Sequence, residues 1–227
     1  SSLDNASNDV NTRVIIVSAE GSSFSAGHDL KELKAGRQST DKGKNYFKEV
    51  MAKCSTLMKS IVNNPKPVIA EVAGVATAAG CQLVASCDLA YAGKSARFAT
   101  PGVNIGLFCS TPMVALSRNI SNKHSMEMLL AGELVSAEKA EKIGLINKVL
   151  DDSLLQSYTL EIARKISKKS SMTLKIGKAA FYKQVDMNLS EAYDYTSNVM
   201  VENMLKIDAE EGMDAFIEKR NPSWQDK

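Results

Sequence analysis

Two short segments of small residues carry the groups that could do chemistry in this chain. The first, Ser25–Leu30, reads Ser-Ala-Gly-His-Asp-Leu, and the second, Ala73–Gln82, reads Ala-Gly-Val-Ala-Thr-Ala-Ala-Gly-Cys-Gln. Each follows or ends an apolar, strand-like run, at Val14–Val17 and Val68–Val75. Small residues let backbone N–H groups approach a ligand closely, and two such turns can direct two donors at one developing oxyanion. The pair therefore predicts an oxyanion site built from the backbone.

The second turn has a further physical basis, because a short helix is expected to begin near Ala79. The first N–H groups of a helix lack internal partners, and the helix dipole places partial positive charge there. A thioester oxygen that becomes an enolate would be stabilised at that point. Alternatively, the alanine-rich turn only lets the helix pack tightly on its strand. Either turn alone is a weak signal, whereas the two together, about 50 residues apart, are a stronger one.

The elements that must hold these turns alternate between strand and helix. Pattern and breaker residues predict strands at Val14–Ser18, Val68–Val72, Leu89–Ala92 and Leu145–Leu150, helices at Tyr46–Val62 and Ala79–Ser86, a helix capped by Ser136 that stops at Gly144, and a loop at Phe98–Gly106. From Leu154 onward the pattern is mostly helical. This order is an α/β layout in one large domain with no evident linker.

Composition narrows the class of protein. The 227 residues are 44% hydrophobic and 24% charged, as in a soluble globular domain, and the net charge of +2 gives no reason to expect nucleic-acid or membrane binding. No apolar run is long enough for a membrane span. The four cysteines form no CxxC pair, so we expect no metal and buried free thiols in a reducing compartment: Cys54, Cys81, Cys87 and Cys109.

The residues and order of these motifs resemble those of the crotonase (enoyl-CoA hydratase/isomerase) superfamily over about Val14 to Trp224. The matching segments include Phe-Ser-Ala-Gly-His-Asp-Leu, Ala-Gly-Cys-Gln-Leu, Cys-Asp-Leu-Ala, Phe-Ala-Thr-Pro, Leu-Ala-Gly-Glu and Gly-Leu-Ile-Asn. The resemblance implies an α/β fold made of a spiral of ββα units with a C-terminal helical region. It divides the chain into a flexible or truncated start at 1–13, a core at 14–150 and a helical trimerisation region at 151–227.

The resemblance also implies the site residues. The two oxyanion amides fall on His28 and Ala79, Ala26 lies beside the expected adenine pocket, and Lys31 faces the CoA phosphates. Phe216 and Lys219 match positions that touch CoA in relatives, sometimes from a neighbouring subunit. For these two the alternative is an amphipathic helix with Phe216 inward and Lys219 solvated. We expect a coenzyme A thioester as the ligand and no separate cofactor.

The departures from the family pattern concern proton transfer. Where a hydratase of the family has its two catalytic glutamates, this chain has Gln82 and Gly102. Hydration needs one group to activate water and one to protonate the α-carbon, and neither residue can exchange a proton in this way. The stretch Phe108–Pro112 also differs from the usual glycine-rich wall. We therefore expect weak or altered hydratase activity.

Other polar residues are candidates for the missing roles. They are His28, Thr100, Asn104, Cys109 and Ser110. Histidine as a residue type can exchange a proton near neutral pH, but the side chain of His28 could simply flank the pocket while its N–H acts as the donor, and Cys109 is expected to be a buried, inert thiol. Asp29 and Asp88 are interpreted as groups that cap the backbone.

Three hypotheses remain open from the sequence. The first is an acyl-CoA-binding crotonase of mitochondrial fatty-acid and lipid metabolism with limited lyase chemistry, in the matrix and without its transit peptide. The second is an active hydratase or isomerase that uses substitute residues. The third is a non-catalytic scaffold or regulatory subunit that retains only the oligomeric fold. A homotrimer or hexamer is expected in each. The strand and helix that usually open the family's domain are largely absent before Val14, as a natural feature or through truncation.

Overall fold

A computed structural model describes residues 2–227. The chain divides by its internal contacts into two compact units. The core unit comprises Ile16–Val62 and Val68–Leu160, and the tail unit comprises the described residues up to Ile15 together with Asn63–Pro67 and Glu161–Lys227. Within the described residues, none of the helices combines the length and the apolarity that a membrane crossing needs.

Within residues 2–227, eight strands form two four-stranded sheets. The strands are β1 Ile15–Val17, β2 Ser23–Ser25, β3 Val68–Val72, β4 Val75–Thr77, β5 Leu89–Gly93, β6 Arg97–Ala99, β7 Val135–Ser136 and β8 Lys148–Leu150. One sheet has the order β1-β3-β5-β8, and the other has the order β2-β4-β6-β7. The pairs β2–β4, β4–β6, β3–β5 and β5–β8 are parallel, whereas β6–β7 is antiparallel.

Eleven helices complete the described chain. In the core unit they are α2 Leu30–Gly36, α3 Lys44–Val62, α4 Ala79–Ser86, α5 Pro112–Asn119, α6 Asn122–Ala131, α7 Ala137–Lys142 and the start of α8 Leu155–Ser167. The tail unit has α1 Ser2–Asn8, α9 Ser171–Gln184, α10 Leu189–Met204 and α11 Ile207–Glu218. Short 3₁₀ segments cover Pro101–Ile105 and Asp152–Leu154. The predicted alternation of strand and helix, followed by a mostly helical C-terminal part, is thus observed.

The run from Val68 to Val75 is not one strand, because the chain turns at Gly74. Gly74 has φ +78°, and a Cβ there would collide with the Ser22 carbonyl oxygen. The turn ends β3 in one sheet and starts β4 in the other. A continuous apolar sequence therefore contributes to two sheets: β3 has the predicted bounds, and β4 was not predicted.

Other predicted bounds need correction. The loop expected at Phe98–Gly106 is instead the end of β6 and a 3₁₀ turn, because Phe98 pairs with Ala76 in the sheet. The strand expected at Leu145–Leu150 is limited to Lys148–Leu150, and the one at Val14–Ser18 to Ile15–Val17. Residues 2–8, in the start expected to be flexible, form α1.

The core unit packs α3 through one stripe of its surface. Cys54, Met58 and Ile61 are buried at the spacing of helical turns, whereas Leu57 is exposed. In the neighbouring sheet, Val68, Ile69, Ala70 and Val72 of β3 are fully buried, as expected for a parallel sheet covered on both faces. The buried residues of α3 and β3 thus belong to the core unit, which also holds the two predicted turns.

Candidate active site

Three neighbouring parallel strands end at one edge of the second sheet. These are β2, which ends at Ser25, β4, which ends at Thr77, and β6, which ends at Ala99. In parallel sheets the carboxyl ends of adjacent strands meet at the same edge, where open α/β sheets bind ligands. The residues that follow, Gly27-His28, Ala78-Ala79 and Thr100, are therefore brought to this edge.

The two small-residue turns are in direct contact. Gly27 has φ +90°, and a Cβ placed on it would lie 3.0 Å from Ala78 Cβ and 3.1 Å from Ala79 N. The Thr77 hydroxyl donates to the Ala26 carbonyl oxygen over 3.2 Å, which ties the turns together one residue further back. The structure thus brings together the two turns that the sequence singled out, although they are about 50 residues apart.

The backbone at the start of α4 is held in an unusual conformation. Ala78 has φ 51° and ψ −117°, and its side chain makes no capping bond. Its N–H donates to the Ala99 carbonyl oxygen at 2.9 Å, which fixes the turn to β6. Such strain is held in place by the surrounding structure and tends to occur at functional sites.

Two backbone donors at this edge have no acceptor in the part of the chain that the structure describes. Among residues 2–227, neither the His28 N–H nor the Ala79 N–H donates to a protein group. The Ala79 N–H also lies at the amino end of α4, where the helix dipole adds partial positive charge. The two N–H groups thus lie on turns that contact each other and have no acceptor there, and their role as an oxyanion hole stays a prediction.

Gln82 lies one turn further along α4 and is 4% exposed. Its side-chain oxygen Oε1 accepts from the Cys54 thiol, with a sulfur-to-oxygen distance of 3.8 Å. This contact comes from α3, and nothing in the spacing of the sequence could have shown it. An amide in this position can orient a polar group by hydrogen bonding, but it cannot exchange a proton as a carboxylate does.

Gly102 lies under the segment Leu107–Cys109. The Leu107 N–H donates to the Gly102 carbonyl oxygen at 2.9 Å. A Cβ on Gly102 would be 2.7 Å from the Leu107 carbonyl oxygen and 2.9 Å from Cys109 Sγ. Any side chain at position 102 therefore requires this segment to shift.

The cysteines are buried and form no disulfide within the described residues, as the sequence predicted. Burial raises the pKa of the Cys81 thiol to about 12, with a smaller contribution from the neighbouring Cys109 thiol. Cys81 is therefore protonated at neutral pH and is a poor nucleophile. No group of three or more metal-ligating side chains occurs in the described part of the chain.

The remaining predicted residues are placed as follows. Ala26 and Lys31 are exposed in the core unit, and Asp29 caps α2 by accepting from the Lys31 N–H at 2.7 Å, as predicted. Phe216 and Lys219 belong to the tail unit. The alternative with Phe216 inward is wrong, because this side chain is 86% exposed on α11.

Other polar candidates and capping residues have structural partners. Asn104 donates to the Gly132 carbonyl oxygen at 3.1 Å, so its amide is used within the fold. The Ser110 hydroxyl contacts the Phe108 carbonyl oxygen at 3.3 Å. Asp88 accepts from the Val68 N–H at 2.7 Å, as expected for a capping group, and Ser136 caps α7 by accepting from Lys139.

The two turns that carry these backbone donors also contain the motifs that resemble the crotonase superfamily. Comparison with known proteins supports this family assignment. The enoyl-CoA hydratase/isomerase family model matches residues 1–227, so the chain belongs to this family. Its relatives include mitochondrial enoyl-CoA hydratase domain-containing protein 3 from Xenopus laevis, at 53% identity over 216 residues, which is 95% of this chain and 72% of that protein. The Homo sapiens protein of the same name is 52% identical over 221 residues, covering 97% of this chain and 71% of the relative.

Solved structures agree on the fold. The chain is similar to an enoyl-CoA hydratase of Mycobacterium smegmatis, with a TM-score of 0.93 and 44% identity over 98% of this chain and 85% of that one. It is also similar to human enoyl-CoA hydratase domain-containing protein 3, with a TM-score of 0.90 and 49% identity over 98% of this chain and 88% of that one. The expected α/β crotonase fold with a helical C-terminal region is confirmed.

Proposed function

We propose that this chain binds an acyl-CoA thioester with its carbonyl oxygen between the N–H groups of His28 and Ala79. The observation that carries the proposal is the contact of Gly27 with Ala78 and Ala79, which brings two unpaired backbone donors to one edge of the sheet. Such fixed donors stabilise an oxygen on which negative charge develops. Ala26 and Lys31 would bind the adenine and phosphates of CoA, and no separate cofactor is required.

We further propose that ordinary enoyl-CoA hydration is weak or altered in this protein. The positions that match the two hydratase glutamates are Gln82 and Gly102, and neither supplies an acid or a base. General acid–base catalysis contributes roughly 10²–10⁴-fold, and two groups act on the same transition state. Crotonyl-CoA hydration should therefore be at least ~10³-fold slower than in a two-glutamate relative.

The proposed setting is the mitochondrial matrix and fatty-acid or lipid metabolism, because the relatives named above carry mitochondrial names. A homotrimer or a hexamer is proposed as the assembly. Support comes from α10 in the tail unit, where five large apolar side chains are more than half exposed: Leu189, Tyr193, Met200, Val201 and Met204. An apolar face of this kind is a liability for a monomer and is typical of a surface between subunits.

A calorimetric titration with three ligands tests the binding proposal. Butyryl-CoA has the thioester carbonyl, its thioether analogue S-butyl-CoA lacks that oxygen, and free CoA lacks the acyl chain. Two hydrogen bonds of ordinary strength are together worth about 1–3 kcal/mol, so butyryl-CoA should bind about 5- to 150-fold more tightly than S-butyl-CoA. Equal affinities would show that the oxyanion site is misplaced, and no binding by any of the three would favour the scaffold hypothesis.

A hydration assay then separates the first two hypotheses. Crotonyl-CoA is incubated with a chain that has been shown to bind butyryl-CoA, and the loss of the conjugated double bond is followed by absorbance. A slow rate supports limited chemistry. A rate comparable to that of ordinary hydratases would contradict the proposed loss of activity and would point to His28 or Cys109 as the acid–base group.

A further inference from the structure

Residues 221–227, which we call the strap, cross the tail unit without forming a helix or a strand. Six of the seven residues are exposed, and Trp224 is half-buried. The strap nevertheless bonds to three separate parts of the tail unit, which are α11, the turn between α8 and α9, and Arg13. Because the strap buries little apolar surface, these polar contacts fix its position.

The contact with α11 is made mainly by Asp208, which is 2% exposed in the first turn of the helix. One carboxylate oxygen accepts from the Gln225 N–H at 2.7 Å, and the other accepts from the Asp226 N–H at 3.0 Å. Within residues 2–227, Asp208 forms no ion pair. A buried charge is costly unless hydrogen bonds compensate it. The two strap N–H groups therefore stabilise the charge of Asp208, together with the amino end of the helix.

A second contact with α11 lies one turn further along the helix. The Glu211 carboxylate accepts from the Ser223 N–H at 2.6 Å. A Cβ on Gly212 would lie 3.3 Å from the Trp224 ring, so this ring lies against the helix. Residues three or four positions apart share one face of a helix. Asp208, Glu211 and Gly212 therefore present one face of α11 to the strap.

The remaining contacts of the strap are with parts of the tail unit that are distant from α11 in the sequence. The Trp224 indole N–H donates to the Lys168 carbonyl oxygen at 2.7 Å. The Asp226 carboxylate accepts from the Ser171 N–H at 2.6 Å and from the Arg13 guanidinium at 3.1 Å. The strap thus connects α11 to the start of α9 and to the residues before β1.

Helix α11 has little packing of its own. Only Asp208 and Ala215 of its 12 residues are buried. Its large apolar side chains are all at least 45% exposed: Ile207, Met213, Phe216 and Ile217. A helix of this length is marginal in water without tertiary contacts. The bonds of the strap are therefore a large part of what holds α11 in place.

We infer that the strap is a releasable fastening for α11, so that its release lets this helix move while the core unit stays folded. In the released state, Asp208 and Glu211 exchange the strap N–H groups for water, and α11 is no longer joined to Lys168 and Ser171. Segments with few apolar contacts commonly open in this way, at a lower free energy than global unfolding. Because Phe216 lies on α11, release also frees this exposed side chain to move. The inference does not depend on the proposed acyl-CoA site.

Hydrogen exchange of Asp208→Asn tests the inference. Asparagine has nearly the same shape but no charge, and its NH₂ group would face one of the two strap N–H groups. Hydrogen bonds to a charged group stabilise more than neutral ones, so opening should become about 10- to 100-fold more frequent. The protection of the α11 amides should fall by this factor, whereas that of the β3 amides in the core unit should not change. Asp214→Asn is the matched control, because Asp214 is exposed on the same helix and its carboxylate bonds to no other described residue.

Fluorescence gives a second readout, because Trp224 is the only tryptophan of the chain. Acrylamide should quench it more strongly in Asp208→Asn than in Asp214→Asn. Asp226→Asn is a milder variant that keeps the backbone, because Asp226 has φ 58° and asparagine tolerates this left-handed conformation. Loss of its charge removes the ion pair with Arg13 and should lower the protection of α11 by about two- to fivefold.

Three results would overturn the inference. If Asp208→Asn matches Asp214→Asn in both readouts, the strap does not hold α11. If the β3 amides lose as much protection as the α11 amides, the strap does not open separately from the core unit. If Asp208→Asn fails to fold, Asp226→Asn decides, and unchanged protection of α11 in that variant overturns the inference.

Discussion

The contact between Gly27 and the start of α4 can be tested by adding a single methyl group. In Gly27→Ala the new Cβ would lie 3.0 Å from Ala78 Cβ and 3.1 Å from Ala79 N, well inside the usual separation of nonbonded carbon atoms. The two turns must then move apart, and with them the N–H groups of His28 and Ala79. We expect the loss of the site's preference for a thioester carbonyl.

A second glycine in the core unit supplies the matched control. Gly21 has φ +92°, almost the same as the +90° of Gly27, but a Cβ there would meet no atom within 4 Å. Both substitutions force alanine into the left-handed region, at a cost of about 1–2 kcal/mol. Only Gly27→Ala adds crowding, which costs about 1–3 kcal/mol, so its total loss should be about 2–5 kcal/mol.

The assay combines urea unfolding with the butyryl-CoA and S-butyl-CoA titration. Gly21→Ala should lose some stability but keep the preference for butyryl-CoA of about 5- to 150-fold. Gly27→Ala should lose more stability, and the two ligands should bind with nearly equal affinity. If folded Gly27→Ala kept the same preference as Gly21→Ala, the close approach of the two turns would not be what positions the donors.

Three further results are expected. Introducing both carboxylates, with Gln82→Glu and Gly102→Glu, should raise the rate of crotonyl-CoA hydration. The new side chain at position 102 would crowd Leu107–Cys109, so the double variant should be about 1–3 kcal/mol less stable than Gln82→Glu alone. A double variant as stable as the single one would contradict the packing described at Gly102. The pKa of Glu211 is lowered to about 2, chiefly by hydrogen bonds from Arg220, so the stabilisation is present above the usual glutamate pKa and is lost as the pH falls toward 2. The stability difference between the unmodified protein and Glu211→Gln should therefore shrink on acidification, as measured by urea unfolding at several pH values, and a pH-independent difference would contradict the ion pair. Light scattering should give a mass of about 74 kDa or a multiple of it, three times the 24.5 kDa chain, and a monomer at micromolar concentration would refute the assembly.

Near the site, one helix and one supporting strand were predictable from sequence, whereas the three strands that end there, β2, β4 and β6, were not. The helix Ala79–Ser86 and the strand Val68–Val72 have the predicted bounds, because proline, glycine and a change of period mark both. The pairing of the two turns followed from residue types and family resemblance. Their contact through Gly27 is what the structure adds.

What could not be predicted depends on contacts between distant parts of the chain. Nothing local shows that Cys54 bonds to Gln82 from another helix, or that Leu107–Cys109 covers Gly102. The outward position of Phe216 has a different cause, since an amphipathic pattern assumes that the apolar face points into the same chain. That assumption fails for Phe216, which is apolar but lies on the surface of the chain.

The construction of the oxyanion site from main-chain atoms has a consequence for the effects of mutation. Most substitutions at Ala79 leave its N–H in place, whereas a Cβ on Gly80 would collide with the Ser25 carbonyl oxygen. In a deep mutational scan that measures ligand binding, most substitutions at the donor residues should therefore be tolerated. Substitutions at the neighbouring glycines, which donate no hydrogen bond to the ligand, should abolish binding. Such a scan would identify the residues that pack around the donors, but it would not identify the donor residues themselves.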